Sequence, residues 1–200
     1  MTPHSPNRAH PWHGVPAGPE APVFVTAYVE ITPLDTVKYE LDKDSGLLKV
    51  DRVQLTSSAP PTLYGFIPRT YCGDEVAALT PTSMIADGDP LDICVFSERP
   101  IDRADVLLTA RVVGGLRMID GGEVDDKIVA VVKGDPVWAE TRELSDFPTK
   151  LTERLEHYFL TYKLVPGQPH EVTIEERYGR EHAYRVIEAA ITDYRTTFGT

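Results

Sequence analysis

Val37-Lys38-Tyr39-Glu40-Leu41-Asp42-Lys43-Asp44-Ser45-Gly46-Leu47-Leu48-Lys49-Val50-Asp51-Arg52-Val53 reads as two strands and a turn. Residues 37–41 alternate apolar and polar with period two, 42–46 are a turn cluster, and a strand resumes at Leu47. That is the pattern of a β-hairpin. Working outward, Val23-Phe24-Val25 and Ala27-Tyr28-Val29 are rich in β-branched and aromatic residues. Strand-like segments recur at Ile93–Phe96, Val106–Val113, Leu116–Ile119 and Lys127–Lys133, punctuated by Gly and Pro. Two amphipathic helices are expected only after residue 140. Residues 148–163 carry Leu151, Leu155, Tyr158, Phe159 and Tyr162 at helical spacing, and residues 175–194 carry Ala183, Val186, Ile187, Ala190 and Ile191. Strands first and helices after predict an α+β, mainly β fold: a small closed barrel with helices outside it. Residues 73–86 read as an excursion, with a short helical turn at 75–79.

The chain has 200 residues and a formal net charge of −11. That length suits a single well-buried core. Residues 1–22 hold six prolines and the histidines His4, His10 and His13. They read as an arm on the surface or partly disordered, leaving 23–200 as a single domain. An acidic chain is a poor binder of nucleic acid or anionic membranes, which reward basic patches. No apolar run approaches the roughly 18 residues of a membrane span, and residues 1–14 lack the apolar core of a signal peptide. Cys72 and Cys94 make neither a disulfide framework nor a zinc spacing. They read as free thiols in a reducing compartment, which points to the cytoplasm.

P-loop, dinucleotide-binding, zinc-protease and nucleophile-elbow motifs are absent. What stands out is Asp87-Gly88-Asp89-Pro90-Leu91-Asp92, three carboxylates within six residues around a bend. Close anions repel unless cations sit among them, and hard divalent ions with oxygen ligands suit such a site. The plain alternative is an acidic surface turn. Met118-Ile119-Asp120-Gly121-Gly122-Glu123-Val124-Asp125-Asp126-Lys127 repeats the theme. Two acidic loops at strand edges, facing across a barrel, would hold paired metals of the kind used to activate water against phosphorus.

The D-G-D-P-L-D run resembles the signature of the family I soluble inorganic pyrophosphatases. The rest of the chain agrees in order: His10-Pro11-Trp12-His13, Val29-Glu30-Ile31, residues 37–52, Tyr64-Gly65-Phe66-Ile67-Pro68-Arg69-Thr70, residues 118–128 and His157 to Lys163. The resemblance implies a five-stranded OB-like barrel with flanking helices and hydrolysis of pyrophosphate with several Mg²⁺ ions. It implies Asp87, Asp92, Asp120, Asp125 and Glu30 as metal ligands and Asp89 as the base that takes a proton from the attacking water. Lys38, Arg52, Tyr64, Lys127, Tyr162 and Lys163 would grip phosphate oxygens, with Glu40 orienting Lys38. A homo-oligomer is also implied, hexameric or dimeric. The chain departs from many relatives at Pro60, where a phenol is missing, and at Gly121, where glutamate is common. Two other readings stand beside it: a phosphohydrolase acting on an organic di- or triphosphate, and a non-enzymatic OB-type module for single-stranded nucleic acid. The second lacks the basic groove it needs.

Overall fold

A computed structural model describes residues 8–80, 85–165, 167 and 171–199. Residues 1–7 of the arm, His4 among them, and residues 81–84 of the excursion lie outside the described residues. In chain order the elements are β1 (Phe24–Ile31), β2 (Val37–Leu41), β3 (Leu48–Val53), β4 (Leu63–Phe66), α1 (Asp74–Ala77), β5 (Ile85–Ala86) and β6 (Asp92–Phe96). They continue with β7 (Val106–Asp120), β8 (Glu123–Val124), β9 (Lys127–Val132), a 3₁₀ turn at Leu144–Asp146, α2 (Thr149–Thr161), β10 (Val172–Gly179) and α3 (Arg180–Phe198).

Five strands close into a ring. β1 pairs with β4, β4 with β6, β6 with β9, β9 with β7, and β7 returns to β1. All these pairings are antiparallel except β6–β9. The parallel pair is buried on both faces, which explains its nearly unbroken apolar sequence. Ile93 and Val95 of β6 join Ile128 and Ala130 of β9 in a core capped by Ala183, Val186, Ile187 and Ala190 of α3. Cys94 and Phe96 point the other way, into a second core with Val129, Leu155, Tyr158 and Phe159. Closing the ring leaves β1, β4, β6, β7 and β9 without a free edge.

The hairpin forms as expected, β2 against β3, and stands as a separate two-stranded sheet. The segments Val106–Val113 and Leu116–Ile119, expected as two strands, are one 15-residue strand. Gly114, at φ +155°, and Gly115 carry a bend in it, and the register against β9 shifts there. The helix expected over 175–194 begins only at Arg180. Residues 172–179 are a strand paired with β7. Val172, Ile174 and Tyr178 face β7 or the core, so the charges at 175–177 belong to a strand, not to the first turns of a helix.

The arm over residues 8–22 packs against the barrel. Trp12 is buried with Tyr28, Leu41, Phe66 and Tyr194. Its indole N–H donates to the Thr70 carbonyl at 2.8 Å. Proline keeps the segment out of regular structure, as expected. Among the described residues no helix is long and apolar enough to cross a membrane.

Candidate active site

The acidic bend at 87–92 exists because Gly88 sits at φ +73°, a conformation that glycine enters without a Cβ penalty. The Asp89 N–H donates to Asp87 Oδ1 at 3.0 Å, and the Cys72 backbone brackets the loop from below. β6 then starts at Asp92, whose Cα partner on the parallel strand β9 is Lys127. The second acidic loop closes when the Asp125 N–H donates to the Met118 carbonyl at 2.9 Å. The two loops are thereby brought side by side at one end of the barrel.

They line a cleft of about 370 Å³. Every residue expected at the site lines it except Arg52: Glu30, Lys38, Glu40, Tyr64, Asp87, Asp89, Asp92, Asp120, Asp125, Lys127, Tyr162 and Lys163. Arg52 stands just behind, its guanidinium carbon 5.6 Å from the Tyr162 ring centroid. Its Nη2 is buried without a hydrogen-bond partner. Lys43, Glu123 and Trp12 also line the cleft, and sequence reasoning did not single them out for it. Lys43 sits in what reads only as a turn cluster, and Trp12 in an arm that reads as lying on the surface.

Charge alternates across the cleft. Lys127, only 2% exposed, lies 2.5 Å from Asp92 and pairs also with Asp125. Burial works against its ammonium, but the two aspartates outweigh that and hold its pKa well above the ordinary lysine value. Lys163 pairs with Asp120 and Lys43 with Asp89. Tyr64 donates its hydroxyl to Asp92. Burial is also the main force on Glu30, whose carboxyl is pushed up to about 8. The Leu41 N–H donates to Glu30 Oε1 at 2.7 Å and opposes the shift. Asp87 is likewise pushed up to about 8, by burial first and then by Asp125 and Asp92.

A β-bulge supplies one further carboxylate. Lys38 stands opposite Arg52 and Tyr39 opposite Val50, so Asp51 is the extra residue. Its carboxylate reaches Lys38 at 3.2 Å and Arg52 at 3.2 Å. Glu40 lies 3.3 Å from Lys38, as expected. Burial opposes the Lys38 charge, yet Glu40 and Asp51 together raise its pKa.

Cys94 is fully buried and has no place in the cleft. His157 is exposed on α2. The donors at the acidic centre are carboxylate oxygens, with no histidine or cysteine among the residues lining the cleft. Such a set suits a hard divalent cation. Among the described residues no three of these groups are gathered around one point, because most of the aspartates face an ammonium.

The fold and cleft together define a phosphohydrolase built on a small β-barrel: anionic and cationic side chains interleaved at one barrel end, sized for a small polyanion. Residues 27–195 match the inorganic pyrophosphatase family. An inorganic pyrophosphatase of Chlamydia caviae is 46% identical over 199 residues, covering 94% of this chain and 92% of that protein. Soluble inorganic pyrophosphatase 2 of Chlamydomonas reinhardtii is 35% identical, covering 94% and 89%. The crystal structure of inorganic pyrophosphatase from Thermus thermophilus superposes with a TM-score of 0.82 at 31% identity, covering 94% of this chain and 99% of that one. The chain belongs to the inorganic pyrophosphatase family.

Proposed function

We propose that the chain hydrolyses inorganic pyrophosphate to two orthophosphates with magnesium. Family membership supports the reaction. The observation that carries the assignment of residues is the interleaving of the carboxylates of Glu30, Asp87, Asp89, Asp92, Asp120 and Asp125 with Lys38, Lys127 and Lys163 in one cleft. Asp87, Asp92, Asp120, Asp125 and Glu30 hold the metal ions, which supply a lowered water pKa and neutralise phosphate charge. Asp89 accepts the proton of the water that attacks phosphorus in line with the bridging oxygen; the P–O–P bond breaks and one phosphate leaves. Lys38, Lys127 and Lys163 hold phosphate oxygens as point charges, and Tyr64 and Tyr162 offer hydroxyls. Arg52 brings a planar fork whose Nη2 has no protein partner. Glu40 keeps Lys38 aimed into the cleft.

The test is phosphate release from pyrophosphate, with and without Mg²⁺, by the wild type and Asp89→Asn. Loss of a general base costs about 10²–10⁴-fold in rate. Equal rates for the two proteins sink the role of Asp89, and no release by the wild type sinks the reaction. Two buried free thiols fit a cytoplasmic protein. The resemblance noted in the sequence extends to a homo-oligomer, which a light-scattering mass checks.

A further inference from the structure

His10 of the N-terminal arm meets the tip of the β2–β3 hairpin at the mouth of the cleft. That tip is a closed turn. Asp42 Oδ1 accepts from the Ser45 N–H at 2.9 Å and from the Ser45 hydroxyl at 2.7 Å. The Gly46 N–H donates to the Asp42 carbonyl at 2.8 Å. His10 lies against the turn, its Nε2 3.1 Å from the Lys43 carbonyl. The other ring nitrogen decides the tautomer. His10 Nδ1 accepts from the backbone N–H groups of Trp12 and His13, at 3.2 and 3.3 Å. In the neutral ring the proton is therefore assigned to Nε2, which donates to Lys43. Gly46, at φ +70°, fits flat against the ring; a Cβ there would come within 2.8 Å of His10 Cδ2.

The latch is stiff. Trp12 is buried and bonded to Thr70, and its ring stacks on His13 with centroids 4.4 Å apart. The His13 ring meets the Tyr194 hydroxyl at 2.7 Å, which ties the arm to α3.

From the tip Lys43 crosses the mouth of the cleft and pairs with Asp89 on the opposite wall. Asp89 is its one ion-pair partner among the described residues, whereas Lys38 and Lys127 each have two. The Lys43 and Asp89 side chains are 44% and 42% exposed. A pair that open is weakly held, and an incoming polyanion displaces it at little cost.

We propose that Lys43 is a substrate-binding residue, exchanging Asp89 for the outer oxygens of the entering anion, and that His10 positions it by holding the hairpin tip. The exchange leaves the Asp89 carboxylate free as the anion seats. This proposal rests on the pyrophosphate reading above.

The test compares wild type, Lys43→Gln, Lys43→Arg, His10→Ala and the His10→Ala, Lys43→Gln double variant. Two readouts are taken at fixed free magnesium: steady-state hydrolysis of pyrophosphate, and calorimetric binding of methylenediphosphonate. Loss of one charge-assisted contact predicts that Lys43→Gln raises both KM and the diphosphonate Kd about tenfold, with kcat within about twofold. Lys43→Arg restores most of the loss. His10→Ala raises KM about threefold alone and adds nothing in the Lys43→Gln background, because coupled residues are non-additive. Unchanged KM and Kd in Lys43→Gln, or no rescue by arginine, overturns the role of Lys43. An equal His10→Ala effect in both backgrounds overturns the positioning role. If the wild type hydrolyses no pyrophosphate, the underlying reaction fails and Lys43's assignment falls with it.

Discussion

Lys127 shows how a single residue ties fold to chemistry. Its backbone continues the parallel β6–β9 ladder, and its ammonium is buried between Asp92 and Asp125. Removing one partner of a buried ion group is costly because it strands the other charge. Lys127→Met keeps the length of the side chain and deletes the charge. Without magnesium, the variant is expected to lose about 3 kcal/mol of stability by urea unfolding. Magnesium is expected to recover more stability in the variant than in the wild type, since it replaces the missing cation. A metal-free variant as stable as the wild type contradicts this account. The carboxylates and most cations of the cleft were legible because their motifs recur in a fixed order. Lys43, Asp51 and Trp12 were not. Lys43 looks like any turn lysine, Asp51 acquires its aim from a bulge, and Trp12 is brought to the cleft by an arm that carries no periodicity.

At the scale of elements, the hairpin is legible from its period-two patterning, the four-residue ring strand β4 is too short to stand out, and two misreadings fall where the phase is broken. β10 has a register shift between Ile174 and Glu176, so its alternation slips after three residues and its charges fall into step with α3. β7 was divided at Gly114-Gly115, where the strand bends but continues. α1 is a different case: its N-terminus is held by a residue that no local window contains. The Asp193 carboxylate, buried on α3, accepts from the N–H groups of Gly73, Glu75 and Val76 at 3.0, 3.1 and 3.1 Å. It does for α1 what an N-cap side chain does in sequence. Asp193→Ala leaves three donors with no protein acceptor and should cost about 2 kcal/mol. Asp193→Asn, which keeps one acceptor oxygen, should cost less. Thermal unfolding of the two variants decides it; equal midpoints for alanine and wild type would remove Asp193 from the account of how the 73–80 segment is held.

At the scale of the whole molecule, the net charge of −11 says little about the site. Seven of the proposed site residues, Glu40 included, are acids and five, Lys43 included, are bases, which leaves −2 there and −9 spread elsewhere on the chain. The bulk of that charge repels a polyanion, so capture depends on local cations and bound metal, not on the global field. What holds the molecule as one body is the closed ring, with the arm strapped across it. One strap joins Arg8 to Asp105, a residue at φ +63° just before β7. Tyr28, on β1, donates its hydroxyl to the same carboxylate at 2.7 Å. The Arg8 hydrogen bond is the largest influence on Asp105, and with Tyr28 it holds the carboxyl below its ordinary pKa. A depressed carboxyl binds its proton more weakly in the folded chain than in the unfolded one. Its stabilisation is therefore complete above the unfolded value, about 3.9, and fades as pH falls through the folded value. Asp105→Asn tests this, because asparagine tolerates the same left-handed backbone while removing the charge and leaving one acceptor oxygen in place of two. The variant should unfold at lower temperature than the wild type at pH 7, by an amount set by an exposed pair of roughly 0–1 kcal/mol and its phenolic partner. The gap should narrow as the pH falls below about 3.9, where the unfolded chain takes up the proton, and close below the depressed folded value, where Asp105 of the native chain takes up its own. A gap that stays constant from pH 7 to pH 3 would mean that the strap acts through shape alone and that the Arg8 charge contributes nothing.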